Sequence, residues 1–320
     1  MIESIQNLPK ISVIIPAFNC ESTIKRTIES VLNQTFTDWE LIIINDGSTD
    51  ATLDIISAFS DSRLKVFSFD NAGGNVSRNR GLKLAMGEFV SFLDGDDMWT
   101  SDKLLSQLKA LQNNPQAAVA YSWTDYIDEN DKIVISGGRL VANGNVYERL
   151  LLTNFLENGS NPLIRKEAII ELGGFDENLS AAQDWDMWLR LAAKFEFVNV
   201  PSAQILYRIS ANSVSSNLVR QERACLQVLE KAYQQKPSAL RDNWHLSLAN
   251  LYKYLTCKAL QQPFNRQKGL TAGRFLYNYF LNDYARLKHL NFTFKLLVKV
   301  IILLIYPTLL YRTKTTANFR

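Results

Sequence analysis

Residues 11–50 read ISVIIPAFNCESTIKRTIESVLNQTFTDWELIIINDGSTD, and this stretch decides the fold class. The opening ISVIIP is apolar and rich in β-branched residues, which predicts a strand. The segment ESTIKRTIESVLNQ is apolar at helical spacing, at Ile24, Ile28, Val31 and Leu32. The run ELIIIN is typical of a strand buried on both faces. A strand, a helix and a strand in this order predict a parallel βαβ unit.

The same alternation continues toward the C-terminus. ATLDIISAF, VSRNRGLKLAM and SDKLLSQLKALQ are helical patterns, and LKVFSF, GEFVSFL and AAVAYSW are extended ones. From about Asp125 to Ser210 the periodicity is mixed, with a hairpin around ENDK and turns at Gly137 and Gly173. We expect this part to add α+β structure to the same sheet.

After about Asn212 only helical patterns remain, with aromatic residues such as Phe275, Tyr279 and Tyr284 three to five positions apart. We therefore predict an α/β domain over residues 1–215, built on a mostly parallel mixed sheet flanked by helices. Residues 216–320 are predicted to form a C-terminal helical appendage.

The composition indicates a globular protein in a reducing compartment. Of the 320 residues 47% are hydrophobic and 21% charged, which excludes a disordered or disulfide-stapled chain. Cys20, Cys225 and Cys257 fit no metal or redox spacing. The two histidines, His245 and His289, lie in the last quarter, so acid–base chemistry in the first 220 residues has to use carboxylates.

The C-terminal end is basic and apolar. From residue 285 onward there are seven basic residues and no acidic one, around the run LLVKVIILLIYPTLLY. Lys299 and Pro307 interrupt this run, which stays below the ~20 apolar residues of a spanning helix. We expect it to contact a membrane surface peripherally, rather than nucleic acid. The alternative is that it packs as core or as a homodimer interface. The N-terminal MIESIQNLPK has no secretory signal pattern, which predicts a cytoplasmic location.

Ligands of open α/β sheets bind beyond the carboxyl ends of strands, so the residues after each predicted strand are candidates. PAFNCE, after the first strand, has no glycine, which argues against a dinucleotide turn and against the Gly-rich basic loop of a nucleotidyltransferase. Asp46 can accept hydrogen bonds from a nucleobase edge or a ribose diol. Its alternative role is to form the turn before Gly47.

The acidic turn in FLDGDD is a candidate cation site. In extended chain Asp94 and Asp96 project to the same side, and Gly95 lets a ligand or backbone approach. Mg²⁺ or Mn²⁺ prefers such oxygen ligands and leaves room for substrate phosphates. The alternative is an acidic turn with no ligand.

Three further side chains have two interpretations each, and two tryptophans have one each. Asp184, in the segment QDWDMWLRL, is either a helix cap or a general base. Arg78 either neutralises a phosphate or is a solvated helix residue. Trp99 is either a hydrophobic plug or a sugar platform, and Trp185 is a candidate for stacking on a sugar, whereas Trp188 is expected in the core.

Five motifs in order resemble the family 2 glycosyltransferases, which are inverting enzymes of the GT-A fold with nucleotide-sugar donors. They are VIIPAFN, SVLNQTF with Glu40, INDGSTD, the block NAGGNVSRNRGLKLAMGEFVSFLDGDD, and GGFDENL followed by QDWDMWLRL; together they cover about residues 10–210. The resemblance implies that Asp96 binds Mn²⁺ or Mg²⁺ and that Asp184 is the catalytic base. The implied donor-binding residues are Pro16, Ala17, Phe18, Asn19, Glu21, Asp46, Arg78 and Asp94, and the candidate acceptor contacts are Trp99 and Trp185.

The resemblance implies transfer of a sugar, with a UDP-sugar as the expected donor, to a glycan or lipid-linked acceptor in cell-surface polysaccharide synthesis. The expected location is the inner face of the membrane. Two departures matter: Gln183 stands where many relatives have Glu, and Ser210 where they often have a histidine near the metal. The alternative is a nucleotide-sugar-binding or scaffold protein without turnover.

Overall fold

The computed structural model describes residues 8–209, 217–235, 243–261, 264–283, 285 and 288–306. The strands are β1 (Ile11–Ala17), β2 (Trp39–Asp46), β3 (Leu64–Phe69), β4 (Phe89–Phe92), β5 (Met98–Trp99), β6 (Ala117–Ile127), β7 (Ile133–Ser136), β8 (Leu163–Arg165) and β9 (Glu196–Arg208). The helices are α1 (Ile24–Leu32), α2 (Thr52–Ser57), α3 (Gly74–Leu84), α4 (Lys103–Asn113), α5 (Tyr147–Leu152), α6 (Lys166–Glu171), α7 (Gln183–Ala192), α8 (Leu218–Gln235), α9 (Trp244–Ala259), α10 (Arg266–Asn282) and α11 (Leu290–Ile305).

The strands form one mixed sheet in the order β3-β2-β1-β4-β8-β6-β9-β5, with β7 paired to β6. The strands β3, β2, β1 and β4 are parallel, as the alternating pattern predicts. Strand β8 runs antiparallel between β4 and β6, and β9 pairs parallel to β6. The predicted hairpin around ENDK is confirmed as the antiparallel β6–β7 pair.

The apolar runs of β1 and β2 are buried because helices cover the sheet. Ile28 and Val31 of α1 lie in the same core cluster as Ile15 and Ile43 of the strands. Complete burial of each such side chain contributes about 1.5–3 kcal/mol.

A buried carboxylate joins the start of β1 to its neighbours. Glu40 accepts hydrogen bonds from the Ser12 hydroxyl (2.6 Å), the Met86 N–H (2.7 Å) and the Lys65 ammonium (2.9 Å). Burial raises the pKa of Glu40, but these three donors outweigh it, so the net effect is a lowered pKa. The role of Glu40, which follows the SVLNQTF motif and lies in β2, is thus to hold β1, β2 and β3 in register.

The chain divides into two compact units. The first contains the sheet and comprises Met1–Tyr147, Phe155–Leu179 and Gln183–Ser210; the second comprises Glu148–Asn154, Ser180–Ala182 and Ala211–Arg320. The second unit contains the helices α8, α9, α10 and α11, with Phe275 and Tyr279 of α10 buried. The assignment of separate roles to residues 1–215 and 216–320 stays a prediction.

No helix within the described ranges combines the length and the apolar character needed to span a membrane. The apolar run predicted near the C-terminus is helical as far as Ile305. Ser210, Tyr284 and residues 307–320 lie outside the described residues.

Candidate active site

The acidic turn after β4 is held by hydroxyl groups of α1 and the turn before it. Thr23 and Thr27 both donate to the carbonyl oxygen of Gly95, over 2.9 and 3.1 Å, and Thr27 also donates to the carbonyl oxygen of Asp97 over 2.8 Å. A Cβ on Gly95 would lie 3.0 Å from Cys20 Sγ, so the absence of a side chain there lets the loop after β1 approach. Helix α1 thereby fixes the backbone that presents the carboxylates.

Arg78 of α3 forms an ion pair with Asp94, through Nη2 and Oδ1. The arginine is only 6% exposed, and its Nε and Nη1 have no hydrogen-bond partner among the described residues. Burying such donors without a partner costs about 1–3 kcal/mol each. These two nitrogens are themselves buried, and the binding of a phosphate by Arg78 stays a prediction.

Asp96 is a carboxylate whose pKa is raised, although the charges of Arg208 and Arg78 lower it in part. It forms no ion pair with any described residue, and burial together with the charge of Asp94 raises its pKa to about 6. A bound positive charge would relieve both effects.

Asp97, the last acid of the turn, is buried completely and serves the structure of the site. Its Oδ2 accepts the hydroxyl of Ser160 (2.6 Å), and its Oδ1 accepts the backbone N–H of Arg208 (2.9 Å). Burial and the neighbouring charges of Asp96 and Asp94 raise the pKa of Asp97 well above the ordinary value. Asp97 thus joins the turn to the loop before β8 and to the end of β9.

Arg208 ties the acidic turn to the hairpin. Its Nε donates to the carbonyl oxygen of Asp96 (2.9 Å), and its Nη1 donates to that of Asp128 (2.7 Å). Nη2 donates to Asp131 (2.6 Å), which also pairs with Arg26 of α1. The direction of the Asp96 backbone therefore depends on β9.

Three candidate side chains meet at Gly159. A Cβ built on this glycine would lie 3.8 Å from Arg78 Nη2, 3.8 Å from Asp94 Oδ2 and 4.0 Å from the Asp184 Cβ. The structure thus brings together residues from α3, the acidic turn and α7, and a side chain at residue 159 would take up the space between them.

Asp184 lies in the first turn of α7, as the sequence predicts, and its Oδ1 accepts the N–H of Trp185 (2.8 Å). The GGFDENL loop before α7 is tied to α3. Asn75 donates to the carbonyl oxygens of Asp176 and Leu179, and Asn79 donates to that of Phe175. Helix α3 therefore holds this loop in addition to carrying Arg78.

The loop after β1 has both engaged and free side chains. Asn19 Oδ1 accepts the N–H of Thr49 (2.8 Å) and Glu21 Oε2 accepts that of Ala51 (2.8 Å), so both side chains hold the DGSTD loop. At the end of β1 itself, Ala17 is buried and Pro16 is half-buried, whereas Phe18, directly after the strand, is 51% exposed. Phe18 thus offers a free ring at a strand end, and the donor-binding roles of these five residues stay predictions.

Asp46 is 2% exposed and already bound to the chain. Its two carboxylate oxygens accept the N–H groups of Ala72 (3.0 Å) and Gly73 (2.8 Å), directly before α3. Arg80 lies 3.3 Å from the same carboxylate. Asp46 thus holds the loop that leads into α3, and its binding of a nucleobase stays a prediction.

The two tryptophans expected to contact the acceptor are buried. Trp99 is 3% exposed; its Nε1 donates to the carbonyl oxygen of Ser160, and Lys103 Nζ lies 3.9 Å from the centre of its ring. Trp185 is 5% exposed. Both indoles are thus almost completely buried, and contact of either one with an acceptor stays a prediction.

Comparison with known proteins identifies the family. The model described as "Glycosyltransferase like family 2" matches residues 12–259.

The chain belongs to glycosyltransferase family 2.

Two relatives illustrate the similarity within this family. The chain is 31% identical over 240 residues to the Escherichia coli protein named UDP-Glc:alpha-D-GlcNAc-diphosphoundecaprenol beta-1,3-glucosyltransferase WfaP, covering 70% of this chain and 88% of the relative. It is 34% identical over 215 residues to the putative teichuronic acid biosynthesis glycosyltransferase TuaG of Bacillus subtilis, covering 65% of this chain and 82% of TuaG.

Solved structures show that this glycosyltransferase has the GT-A fold that its sequence predicts. Staphylococcus aureus TarS 1–349, in complex with UDP-GlcNAc, superposes with a TM-score of 0.58 at 18% identity, covering 87% of this chain and 92% of TarS. The mannosyltransferase PcManGT from Pyrobaculum calidifontis, in complex with GDP-Man and Mn²⁺, superposes with a TM-score of 0.58 at 16% identity. This match covers 95% of this chain and 89% of PcManGT.

A divalent cation fits the acidic turn of this family 2 glycosyltransferase only in part. The Asp96 carboxylate forms no ion pair with a described residue, and burial and the charge of Asp94 raise its pKa although Arg208 and Arg78 lower it. No three acidic, histidine or cysteine side chains of the described residues converge as a metal cage. The residues therefore fit a cation held by Asp96 together with oxygen atoms of a ligand, rather than a closed protein site.

Sequence reasoning missed several residues that shape this glycosyltransferase site. Ser160, Gly159 and Arg208 lie far from the acidic turn in sequence, and no motif singles them out. The only local signal is the turn composition of NGSNP, at residues 158–162, which predicts a loop but not its contacts.

Proposed function

We propose that this protein is an inverting glycosyltransferase that moves a sugar from a nucleotide diphosphate to a hydroxyl group of a glycan or lipid-linked acceptor. The observation that carries the proposal is the convergence of Arg78, Asp94 and Asp184 around Gly159. A cationic fork, a donor-facing carboxylate and a second carboxylate on another element are the parts that such a transfer needs.

The donor is expected to bind along the carboxyl ends of β1, β2 and β4. The exposed ring of Phe18 and the free N–H groups of Arg78 support contact with a nucleotide and its diphosphate. Asp94, held by Arg78, then faces the ribose or the sugar. Because similar proteins are named for UDP-Glc and TarS was crystallised with UDP-GlcNAc, we propose a UDP-sugar as donor.

The chemistry follows from where negative charge and protons move. Asp184 accepts the proton of the acceptor hydroxyl as its oxygen attacks the anomeric carbon from the face opposite the leaving group. Arg78 places positive charge near the departing diphosphate. One such displacement inverts the anomeric centre and leaves no covalent enzyme intermediate.

Asp96 would hold Mn²⁺ or Mg²⁺ with the donor diphosphate. When bound, the cation stabilises the negative charge that develops on the leaving group. Asp97, Ser160 and Arg208 keep the Asp96 backbone in place for this role.

We further propose that the protein acts in cell-surface polysaccharide synthesis at the inner face of the membrane. The similar E. coli proteins are named for a diphosphoundecaprenol-linked acceptor, and TuaG for teichuronic acid synthesis. A nucleotide sugar is water-soluble, whereas a polyprenol-linked acceptor lies in a bilayer. An enzyme that uses both works at the membrane surface.

The test is a panel of nucleotide sugars incubated with the purified full chain and Mn²⁺, with hydrolysis and transfer to an added acceptor as readouts. Asp184→Asn is expected to lower kcat by about 10²–10⁴-fold and to leave donor KM nearly unchanged, because it removes a proton acceptor and keeps the shape. Asp54→Asn is the control, since Asp54 also lies in the first turn of a helix.

Unchanged turnover in Asp184→Asn would overturn the assignment of the base. A β-anomeric product from an α-linked donor supports inversion, and an α-anomeric product contradicts it. Donor binding without hydrolysis or transfer by the unaltered protein would favour the alternative, a nucleotide-sugar-binding or scaffold protein.

A further inference from the structure

Helix α11 has two apolar faces, of which one is covered. Leu296, Val300 and Leu303 are buried. Gly269 and Gly273 of α10 provide the space, because Cβ atoms built on them would lie 3.0 Å from Leu304 Cδ2 and 3.5 Å from Val300 Cγ1. This inner face fixes the rotation of α11 about its axis.

The opposite face is apolar and uncovered among the described residues. Its members, called the outer face of α11, are Leu290, Phe294, Leu297, Val298, Ile301 and Ile305, all of them exposed. At about 100° per residue these six positions form one stripe roughly 100° wide along the whole helix. Monomeric soluble proteins rarely leave such a continuous stripe open, which marks it as an interaction surface.

The charges beside the outer face are positive. Lys295 and Lys299 lie on one flank of the helix, between the outer and the inner face. Lys253 of α9 approaches α11 as well, with its Nζ 4.9 Å from the ring of Phe292. The sequence has no acidic residue from 285 to 320. The nearest acid before that stretch, Asp283, is buried and hydrogen-bonded to His289.

We propose that the outer face of α11 is the surface by which this protein lies on an anionic lipid bilayer, with the helix in the plane of the membrane. An apolar stripe with lysines on its flank is typical of a helix that lies in the membrane interface. The stripe enters the headgroup region, and the ammonium groups reach lipid phosphates. The uniform positive charge favours this partner over a second copy, because two such faces would repel each other. The inference rests on the proposed function in placing the acceptor in a membrane.

The test is co-sedimentation of the full chain with vesicles of phosphatidylcholine alone or mixed with phosphatidylglycerol. The protein is expected to sediment with the anionic vesicles, and salt is expected to weaken the binding. Leu297→Glu with Ile301→Glu is expected to reduce the partition coefficient at least about tenfold. Ile135→Glu, on β7, is the matched control because Ile135 is 47% exposed and Ile301 44%; its partition should not change.

Several outcomes overturn the proposal. These are unchanged sedimentation of the double variant, equal binding to both kinds of vesicle, or a dimer of the unaltered chain that the double variant dissociates. Binding that appears only after residues 307–320 are deleted would mean that this segment covers the face. Thermal unfolding of the double variant shows whether it is folded.

Donor hydrolysis in the absence of vesicles separates this proposal from the proposed function. The double variant is expected to keep its hydrolysis rate, since no α11 residue belongs to the site. A protein that binds vesicles but hydrolyses no donor contradicts the proposed enzyme activity and supports the proposed membrane surface. A protein that hydrolyses the donor but does not bind vesicles supports the proposed enzyme activity and contradicts the proposed membrane surface.

Discussion

The hydroxyl of Ser160 donates to Asp97 Oδ2 over 2.6 Å, and the same hydroxyl oxygen accepts the backbone N–H of Asp94 over 3.0 Å. One side chain from the loop before β8 therefore fixes both ends of the acidic turn. Since Asp94 and Asp96 lie in this turn, the direction of their carboxylates depends on a residue that is distant in the sequence.

Ser160→Ala is expected to lower kcat/KM about tenfold or more and to raise the Mn²⁺ concentration needed for half-maximal activity, because the turn is no longer held in one position. Loss of the buried hydrogen bonds also lowers the free energy of unfolding by about 1–3 kcal/mol. Ser247→Ala is the matched control, since that buried hydroxyl lies 2.8 Å from Tyr233 Oη in the second unit. Equal loss of activity in both variants would show that stability, and not the position of the turn, is responsible.

Glu40→Gln is expected to destabilise the sheet by about 1–3 kcal/mol at pH 7, because it removes charged hydrogen bonds to Lys65, Ser12 and the Met86 N–H. The pKa of Glu40 is lowered in the folded protein, so the folded state binds fewer protons than the unfolded one near that pKa. The difference between the unfolding free energies of the wild type and Glu40→Gln should therefore have its full size above about pH 5. It should shrink as the pH falls below about 4.3, the ordinary pKa of a glutamate.

Urea unfolding from pH 3 to pH 7 measures this difference. Glu29→Gln is the control, because Glu29 is exposed and lies 4.0 Å from Lys25. A difference between wild type and Glu40→Gln that does not change with pH would contradict the lowered pKa.

Lys103→Met is expected to stabilise the protein at neutral pH. Lys103 is completely buried, donates to Ser91 Oγ over 2.5 Å, and has no acidic partner among the described residues. Burial holds the pKa of Lys103 in the folded protein well below its ordinary value. At a pH between the folded and the unfolded pKa, the lysine is protonated only in the unfolded chain. The stability of the wild type therefore rises with pH in that range. Methionine binds no proton in either state. The increase in the free energy of unfolding from Lys103→Met should therefore be largest at low pH and shrink toward pH ~10.4.

Thermal unfolding across this pH range is the measurement, with Lys109→Met on the exposed side of α4 as the reference. A wild type that is more stable than Lys103→Met at pH 7 would mean that Lys103 is charged in the folded state and stabilised by the ring of Trp99.

Gly269→Ile is expected to loosen α11 from α10, because a side chain at this position meets Leu303 and Leu304 at 3.0–3.4 Å. Hydrogen exchange of the amides of residues 290–305 should become faster, by tenfold or more for a loss of about 1.4 kcal/mol. Leu270→Ile, at the exposed neighbouring position, should leave the exchange rates unchanged. Unaltered protection in Gly269→Ile would show that α11 shifts to accept the side chain.

The order of β1 to β4, the helices between them, α4 and β6 follows from the sequence alone. Apolar runs such as ELIIIN, the helical spacing of Ile24, Ile28 and Val31, and the turn at Gly173 depend on neighbours within a few residues, and all three are found as predicted. The positions of Asp94 and Asp184 were predictable for the same reason, since the end of a strand and the start of a helix are local features.

Only the tertiary structure decided how these residues are used. Ser160 meets Asp97 across 63 residues, and Arg208 meets it across 111. Trp99 is covered by Lys103 and the Ser160 carbonyl, which no pattern around DGDDMW reveals. Periodicity records which face of an element is apolar, but the partner of a buried polar group is set by how the sheet brings distant loops together. Such contacts exist only in the folded chain.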